Sequence, residues 1–147
     1  MNFSLVNATE ADSEFVYQLK KTVLKEYVEK TWQQWDEAFQ KRFHKENYSV
    51  TNTRIIKIDR NAIGTIDLKE GETSIFVSGL YILPEFQSKG IGSAILEQLL
   101  ERAKLQMKIL ELEVLRVNIN AQRFYKRLGF AFTGKDNEKY FLYKDFR

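Results

Sequence analysis

The residues best suited to chemistry lie in one stretch, 87–93, which reads Gln-Ser-Lys-Gly-Ile-Gly-Ser. Gly90 and Gly92 lack a Cβ, so the backbone there can approach a ligand closely. A helical pattern opens at Gly90, and the first N–H groups of a helix are unpaired and carry partial positive charge. Lys89 adds a full charge. The stretch predicts a site for a phosphate or pyrophosphate, which leaves coenzyme A, a nucleotide and a dinucleotide open.

The composition makes several other chemistries untenable. The 147 residues include no cysteine and a single histidine, His44, which we interpret as a surface residue near a helix end. A cysteine nucleophile is therefore excluded, and a histidine-rich metal site or a Ser-His-Asp triad has little material, so we expect no metal. Lys and Arg number 23 against 20 Asp and Glu, a net charge of +3. That excess is too small and too scattered to argue for nucleic acid.

The length and composition predict a single domain that spans residues 1–147. Hydrophobic residues make up 44% of the chain, enough for a packed core, and no Ser/Gly-rich linker divides it. The N-terminus lacks a basic region followed by an apolar core, and no apolar run approaches membrane-spanning length. We therefore expect a soluble, cytoplasmic protein with no membrane partner.

The elements that must position the anion stretch follow from the spacing of apolar residues. Ser74–Leu83 is apolar on both faces and predicts a buried central strand that stops before Pro84. Apolar residues at helical spacing then predict a helix over about 90–106. Ile109–Leu115 alternates between apolar and acidic residues and predicts the next inner strand. Because a strand, a helix and a strand form a crossover unit in that order, the two strands should be parallel.

Two capping patterns predict two helices near the N-terminus. The first pattern joins Thr9 to Asp12, and the second joins Thr31 to Gln34. Apolar residues at helical spacing follow each of them. The predicted helices cover about 10–29 and 32–46.

Aromatic residues form a stripe in the second of these predicted helices. Trp32, Trp35, Phe39 and Phe43 fall on one helical face. Such a stripe usually packs on a core. The alternative is that part of it lines a pocket for a partly apolar substrate.

Three strand patterns separated by short turns predict an antiparallel meander of Val50–Ile58, Ala62–Leu68 and Ser74–Leu83. Phe3–Val6 predicts a further strand at a sheet edge. Phe130–Thr133 and Tyr140–Tyr143 predict a terminal hairpin.

A second motif, about 30 residues after the glycine stretch, reads Asn-x-x-Ala-x-x-Phe-Tyr-x-x-x-Gly-Phe over 118–130. Gln87–Gly92 resembles the Q/R-x-x-G-x-G/A acyl-CoA loop of the GNAT N-acetyltransferase superfamily, and the motif over 118–130 resembles its C-terminal signature. Together the two motifs make the chain resemble this superfamily over essentially its whole length. The resemblance implies an α+β fold, an α/β sandwich. Its mixed, mostly antiparallel central sheet would have one parallel, splayed strand pair and helices on both faces.

The resemblance implies acetyl-CoA as the cosubstrate. The pantetheine arm would lie between Ser74–Leu83 and Ile109–Leu115, and backbone groups there would polarise the thioester carbonyl. Asn118 would hydrogen-bond the cofactor arm or fix the start of the last helix. Many family members carry Arg in the phosphate loop, whereas this loop has one basic residue, so we expect less electrostatic help. The implied cofactor-binding residues are Leu80, Tyr81, Ile82, Gln87, Ser88, Lys89, Gly90, Ile91, Gly92, Ser93 and Asn118.

The resemblance also implies an acid and a base. Tyr125 would protonate the departing CoA thiolate, because a phenol pKa of about 10 is close to a thiol pKa of about 8.5. The alternative is that Tyr125 only packs on the sheet a short helix, which follows Asn118 and ends at Gly129, a natural C-terminal cap. Glu113 would deprotonate the acceptor amine, as a glutamate at this spacing does in bacterial ribosomal-protein N-terminal acetyltransferases. Otherwise it is a solvated or ion-paired residue, while Glu111, Asp67 and Glu72 are weaker candidates for the base.

The resemblance implies an N-acetyltransferase that moves an acetyl group to a primary amine by direct attack in a ternary complex. The alternative is a non-catalytic, regulatory module that binds acetyl-CoA, and a weaker rival is a basic nucleic-acid binder. The acceptor stays open among peptide or protein amines, amino acids, polyamines and antibiotics, with Trp32 and Trp35 as candidate substrate-binding residues. A homodimer is also open, because members of the family are often dimers.

Overall fold

The chain has an α+β fold in a computed structural model that describes residues 2–147. Four helices and seven strands make up its regular structure. The helices are α1 (Ser13–Trp32), α2 (Glu37–Asn47), α3 (Ile91–Leu105) and α4 (Ile119–Arg127). The strands are β1 (Ser4–Asn7), β2 (Thr53–Ile58), β3 (Asn61–Glu70), β4 (Ser74–Ile82), β5 (Ile109–Leu115), β6 (Ala131–Lys135) and β7 (Lys139–Asp145).

The strands follow the order β1-β2-β3-β4-β5-β7-β6, so β1 lies at an edge as predicted. The pair β4–β5 is parallel, and its register runs from Ser74 opposite Ile109 to Val77 opposite Leu112. The pairs β1–β2, β2–β3, β5–β7 and β6–β7 are antiparallel. The predicted mixed, mostly antiparallel sheet with one parallel pair is confirmed, and so is the crossover through α3.

The chain divides into two compact units, of which the first comprises residues up to 67 and residues 80–87. Its strands β2 and β3 form an antiparallel hairpin, which is the first part of the predicted meander. The turn between β2 and β3 places Asp59 and Arg60 at φ values of 49° and 72°, as tight hairpin turns require. An apolar cluster of Ala8, Val16 and Ile55 joins α1 to β2. Other fully buried apolar residues of the unit are Leu19, Ile56, Ile63 and Ile66.

The second unit comprises residues 68–79 and 88–147. Strand β5 is its centre, because it pairs with β4 on one side and with β7 on the other. Leu110, Leu112 and Val114 are buried on one face, and the alternation places Glu111 and Glu113 on the other. Helix α3 buries one face in the same unit. Its buried residues are Ile91, Ile95, Leu96, Leu99 and Ala103.

The two N-terminal helices differ from the prediction. Asp12 accepts a hydrogen bond from the Thr9 N–H at 2.8 Å, but it belongs to a short 3-10 turn, and α1 begins at Ser13. The predicted cap at Thr31 is wrong. The Thr31 hydroxyl donates to the Tyr27 carbonyl one turn earlier, so α1 continues to Trp32. Asp36 caps α2 instead, because its side chain accepts from the Phe39 N–H at 3.1 Å.

The predicted aromatic stripe does not lie on one helix, because α1 ends between its first two members. Trp32 closes α1, and Trp35 lies in the connection before α2. Phe39 and Phe43 stack on α2 with ring centroids 6.2 Å apart. Trp32, Phe39 and Phe43 are each about half exposed, at 48%, 49% and 53%. The core-packing interpretation is therefore wrong for these three residues.

His44 is more enclosed than the sequence suggested. Its Nε2 lies 2.9 Å from the Ser13 hydroxyl oxygen, and the Tyr17 and Tyr48 rings lie 5.5 and 5.1 Å away. Burial lowers the pKa of the imidazole, because it disfavours the charged form. His44 thus joins α2 to α1 rather than lying free on the surface.

Strand β4 is buried on one face rather than on both. Ile75 and Val77 are buried, while Phe76 and Ser78 on the opposite face are half-buried. The terminal hairpin is longer than predicted, because its strands extend to Lys135 and from Lys139. Within residues 2–147, no helix combines the length and the hydropathy needed to cross a bilayer.

Candidate active site

The predicted anion site forms a loop followed by the first turn of α3. Gly90 is the N-cap residue, and its φ of 84° lies in the left-handed region that favours glycine. A Cβ on Gly90 would meet no atom within 4 Å, so conformation rather than crowding requires glycine there. The Ala94 N–H bonds the Gly90 carbonyl at 3.0 Å, so Ile91–Ser93 are the residues whose N–H groups precede the helical ladder.

Helix α3 anchors the predicted anion loop to the apolar core of its unit. The first helical residue, Ile91, is 2% exposed, so the helix is anchored in the apolar core from its first turn. Ser88 in the loop also has a positive φ, of 61°. The 15 residues of α3 have aligned peptide dipoles, and the positive N-terminal end of the helix lies at this loop. The arrangement can bind an anion through backbone donors.

The end of β4, Leu80–Ile82, belongs to the first unit and is half-buried. The Leu83 N–H donates to the Ile63 carbonyl at 2.9 Å. The side-chain amide of Gln87 donates to the Ile82 carbonyl at 2.8 Å. The sequence indicated Gln87 as a cofactor contact, but it did not reveal that this side chain reaches the preceding strand.

Asn118 fixes the start of α4, which is one of its two predicted roles. Its side-chain oxygen accepts from the Ala121 N–H at 3.1 Å. At the other end of α4, Gly129 has a φ of 95° and provides the predicted left-handed ending. The Phe130 N–H then donates to the Tyr125 carbonyl at 3.2 Å. The motif over 118–130 therefore codes for both ends of the helix that carries Tyr125.

Tyr125 lies in an apolar, aromatic environment. The residue is 8% exposed, and the rings of Phe124 and Phe130 lie 5.6 and 6.2 Å from its own. Burial raises the pKa of its hydroxyl to about 12, because the low-dielectric surroundings disfavour a phenolate. Tyr125 therefore stays neutral far above physiological pH. This raised pKa lies further from the thiol pKa of about 8.5 than the ordinary phenol pKa of about 10 does.

Glu113 lies on the polar face of β5 and is ion-paired. Its Oε1 lies 3.2 Å from the Nζ of Lys139, and its side chain is 17% exposed. The antiparallel register places Glu113 opposite Phe141 on β7, and Lys139 lies two residues before Phe141. Lys139 was not predicted, because its approach depends on a register that no local pattern specifies. The ion-paired interpretation of Glu113 is confirmed, while its role as a base stays a prediction.

The weaker candidates for the base occupy different surroundings. Glu111 lies opposite Tyr143 on β7, and Glu72 is exposed in the turn before β4. Both carboxylate oxygens of Asp67 are engaged, since Lys20 Nζ lies 2.7 Å from Oδ2 and the Thr53 hydroxyl donates to Oδ1 at 2.9 Å.

The two tryptophans proposed for substrate binding differ in their contacts. Trp35 donates its ring N–H to Glu37 at 2.7 Å and lies 6.4 Å from the Tyr17 ring. Glu37 also pairs with Lys21 at 2.9 Å, and this cation is the main cause that lowers the Glu37 pKa to about 2. Trp35 is thus held in place, whereas Trp32 presents half of its surface to solvent. Residues 2–147 include no group of three or more His, Asp or Glu side chains that could hold a metal ion.

Comparison with known proteins gives one family. The model of the acetyltransferase (GNAT) family matches residues 14–130. An uncharacterized N-acetyltransferase of Archaeoglobus fulgidus is 37% identical over 79 residues, which are 48% of this chain and 54% of the relative. An uncharacterized N-acetyltransferase of Methanocaldococcus jannaschii is 29% identical over 110 residues, 71% of this chain and 47% of the relative. The chain therefore spans about half the length of the curated relatives it matches.

Solved structures share the fold at low sequence identity. The PaiA N-acetyltransferase of Thermoplasma acidophilum, in complex with coenzyme A, has a TM-score of 0.76 at 20% identity over 99% of both chains. Arabidopsis thaliana Naa50, with the bisubstrate analogue CoA-Ac-MVNAL, has a TM-score of 0.67 at 19% identity over 99% of this chain and 100% of that one. The Escherichia coli ribosomal-protein-S18-alanine N-acetyltransferase has a TM-score of 0.69 at 14% identity, with 99% and 94% covered.

Proposed function

The chain belongs to the acetyltransferase (GNAT) family, and we propose that it transfers an acetyl group from acetyl-CoA to a primary amine. The observation that carries this proposal is the loop that ends at Gly90, whose left-handed conformation starts α3 within the acyl-CoA motif. The amine attacks the thioester directly in a ternary complex. No acyl-enzyme on cysteine forms, because the sequence has no cysteine.

The cofactor would be held mainly by backbone groups. The pyrophosphate accepts hydrogen bonds from N–H groups of the loop and the first turn of α3, and Lys89 adds charge. The pantetheine arm pairs with backbone groups of Leu80–Ile82, and an N–H there faces the oxygen of the thioester carbonyl. A donor in that place stabilises the oxyanion that develops during attack.

Tyr125 would act on the leaving thiolate from a neutral hydroxyl. Because its pKa is raised to about 12, it donates a hydrogen bond to the sulfur as negative charge develops there. Complete proton transfer to a thiolate, whose conjugate acid has a pKa of about 8.5, is uphill in these surroundings. Tyr125 therefore keeps its proton, and solvent supplies the proton that converts the departed thiolate to the free thiol.

Glu113 would receive the proton of the acceptor amine, directly or through a water. An alkylamine is protonated at neutral pH and must lose that proton before it attacks. The pairing of Oε1 with Lys139 holds the carboxylate in one orientation. One structural neighbour is in complex with the bisubstrate analogue CoA-Ac-MVNAL, and another is a ribosomal-protein-S18-alanine N-acetyltransferase, so peptide and protein amines are the first acceptor class to test. The half-exposed Trp32 supports an acceptor with an apolar part.

The engaged carboxylate also favours a second candidate function, an acetyl-CoA-binding regulatory module without turnover. In that case Lys139 would neutralise Glu113 permanently, and no base would serve the amine. The module would bind acetyl-CoA as tightly as the enzyme does. Activity with a panel of amines distinguishes the two functions.

The carrying observation can be tested with a matched pair of glycine variants. Neither a Cβ at Gly90 nor one at Gly134 meets an atom within 4 Å, but only Gly90 has a positive φ. Gly90→Ala therefore strains the anion loop by about 1–2 kcal/mol, whereas Gly134→Ala adds the same atom without that strain. Calorimetric titration with CoA should show a Kd at least about fivefold weaker for Gly90→Ala and unchanged for Gly134→Ala. Equal affinities in all three proteins would refute the assignment of this loop.

A further inference from the structure

The peptide bond between Ile82 and Leu83 is hydrogen-bonded at both of its polar groups. The Ile82 carbonyl accepts from the Gln87 side-chain amide at 2.8 Å, and the Leu83 N–H donates to the Ile63 carbonyl at 2.9 Å. A peptide group is planar, so two bonds on opposite sides of it fix its rotation about the chain. The orientation of the backbone groups just before it, in Leu80–Ile82, is thereby restricted.

A close approach of β3 fixes the same segment from another side. A Cβ on Gly64 would lie 2.4 Å from the Tyr81 carbonyl oxygen and 3.2 Å from the Ile82 Cα. Only glycine fits between these backbones, so β3 supports the last residues of β4 at the closest possible distance. Of the groups that hold this segment, Gln87 is the one that belongs to the acyl-CoA motif.

Gln87 reaches the strand because a short turn folds the chain back. Pro84–Phe86 form one 3-10 turn, in which the Phe86 N–H donates to the Leu83 carbonyl at 2.9 Å and the Gln87 N–H to the Pro84 carbonyl at 3.2 Å. The turn places Gln87 five residues beyond Ile82 and within reach of its carbonyl. One residue thus contributes its backbone to the cofactor loop and its side chain to the end of the strand.

Folding alone does not explain this contact. Gln87 is exposed, and water can satisfy an exposed carbonyl about as well as a side-chain amide does, so the net stabilisation is small. What water cannot supply is a fixed direction. Catalytic hydrogen bonds lose much of their effect when a donor is displaced by about 1 Å.

We propose that Gln87 is a positioning residue, whose side chain locks the Ile82–Leu83 peptide and so aims the backbone donors of Leu80–Ile82 at the thioester. This role rests on the proposed acetyl transfer and adds to it. The contact lies between a residue of the acyl-CoA motif and the end of the strand proposed to contact the reacting carbonyl. The loss of this side chain should impair the chemical step more than cofactor binding.

The test uses three substitutions at Gln87 and one elsewhere. Gln87→Met keeps the length but has no donor, and Gln87→Glu replaces the amide by a carboxylate, which cannot donate when ionised. Gln87→Arg restores an N–H donor that can reach the carbonyl. Gln98→Met makes the same change at an exposed position of α3 and serves as the control. Each protein is assayed for kcat, for the calorimetric Kd of CoA and for Tm.

We expect kcat to fall about tenfold in Gln87→Met and Gln87→Glu, while the Kd stays within about twofold and Tm is unchanged. Gln87→Arg should recover most of the lost kcat, and Gln98→Met should resemble the parent protein. The proposal is overturned if kcat is unchanged in Gln87→Met, or if kcat, Kd and Tm deteriorate together. Failure of the parent protein to acetylate any amine would instead refute the proposed function, and this role with it.

Discussion

Tyr125 and Glu113, the two proposed catalytic side chains, are held in opposite surroundings within the second unit. Tyr125 is 8% exposed between two phenylalanine rings. Glu113 lies on the polar face of β5 with a cation 3.2 Å from one carboxylate oxygen. The first environment excludes charge, whereas the second compensates it.

This difference separates the tasks that the two groups can perform. A phenol whose pKa is raised to about 12 by burial remains a donor throughout the working pH range. A carboxylate with an ammonium 3.2 Å from one of its oxygens is held in orientation, and its charge is compensated. The donor proposed at Tyr125 therefore rests on packing, whereas the base proposed at Glu113 is oriented by an ion pair.

The largest effect should come from Tyr125→Phe, which removes the donor and keeps the ring. We expect kcat to fall about 100-fold, because the hydrogen bond from the phenol to the developing thiolate is lost. Steady-state assays of CoA release measure this loss. Tyr140→Phe is the matched control, since its ring also packs against an aromatic neighbour, at 5.1 Å from Phe132. An unchanged rate in Tyr125→Phe would remove the tyrosine from the mechanism.

Replacement of the carboxylate by an amide of the same shape should have a smaller effect. In Glu113→Gln we expect kcat at neutral pH to fall about tenfold, because the amide cannot accept the amine proton. The loss should shrink as the pH rises and the acceptor amine deprotonates by itself. Rates compared across pH with the same acceptor measure this. A loss that is constant at every pH would show that Glu113 is not the base.

The alkaline stability of the protein tests the burial of Tyr125 without an activity assay. The hydroxyl has a pKa of about 12 in the folded protein against about 10 in the unfolded chain, so the unfolded state loses its proton first. The free energy of unfolding should therefore fall as the pH rises above about 10, by about 1 kcal/mol at pH 11 from this residue. Urea titrations at pH 8 and pH 11 should show less of a fall in Tyr125→Phe. Equal pH dependence in both proteins contradicts the burial argument.

The smallest effect is expected when the cation beside Glu113 is removed. Lys139→Met keeps the length of the side chain and releases the carboxylate, and we expect kcat to change by less than about threefold. In the Glu113→Gln background the same substitution should have no effect, because the two residues act as a pair. A double-mutant cycle measures this coupling. Additive effects would show that Lys139 acts on the reaction independently of Glu113.

The sequence predicted best what depends on local chemistry. The bounds of β5, Ile109–Leu115, are as predicted, because strict alternation fixes both the type and the face of a strand. The capping role of Asn118 and the left-handed Gly129 were also readable, because each satisfies helix ends within its own motif. Gly90 belongs to the same class. These features need no knowledge of distant segments.

The sequence predicted poorly what depends on competition or on long-range register. Thr31 has a capping residue type, yet its hydroxyl bonds inside α1, and Asp36 provides the cap. The contact of Lys139 with Glu113 depends on the register of β5 with β7, over a separation of 26 residues. The hydrogen bond from the Gln87 side chain to the Ile82 carbonyl depends on a turn whose geometry the motif alone does not specify. The local elements around the candidate site were thus readable, while the long-range contacts of its side chains were not.

The most direct test of the central claim is a turnover measurement with acetyl-CoA and a panel of peptide and small-molecule amines. Free thiol and acetylated amine are quantified in the same reaction, with Tyr125→Phe as the matched protein. The proposed function predicts at least one acceptor for which thiol and acetylated amine appear in equal amounts, much more slowly with the variant. Tight binding of acetyl-CoA without a product from any amine, or equal rates in the two proteins, would contradict it.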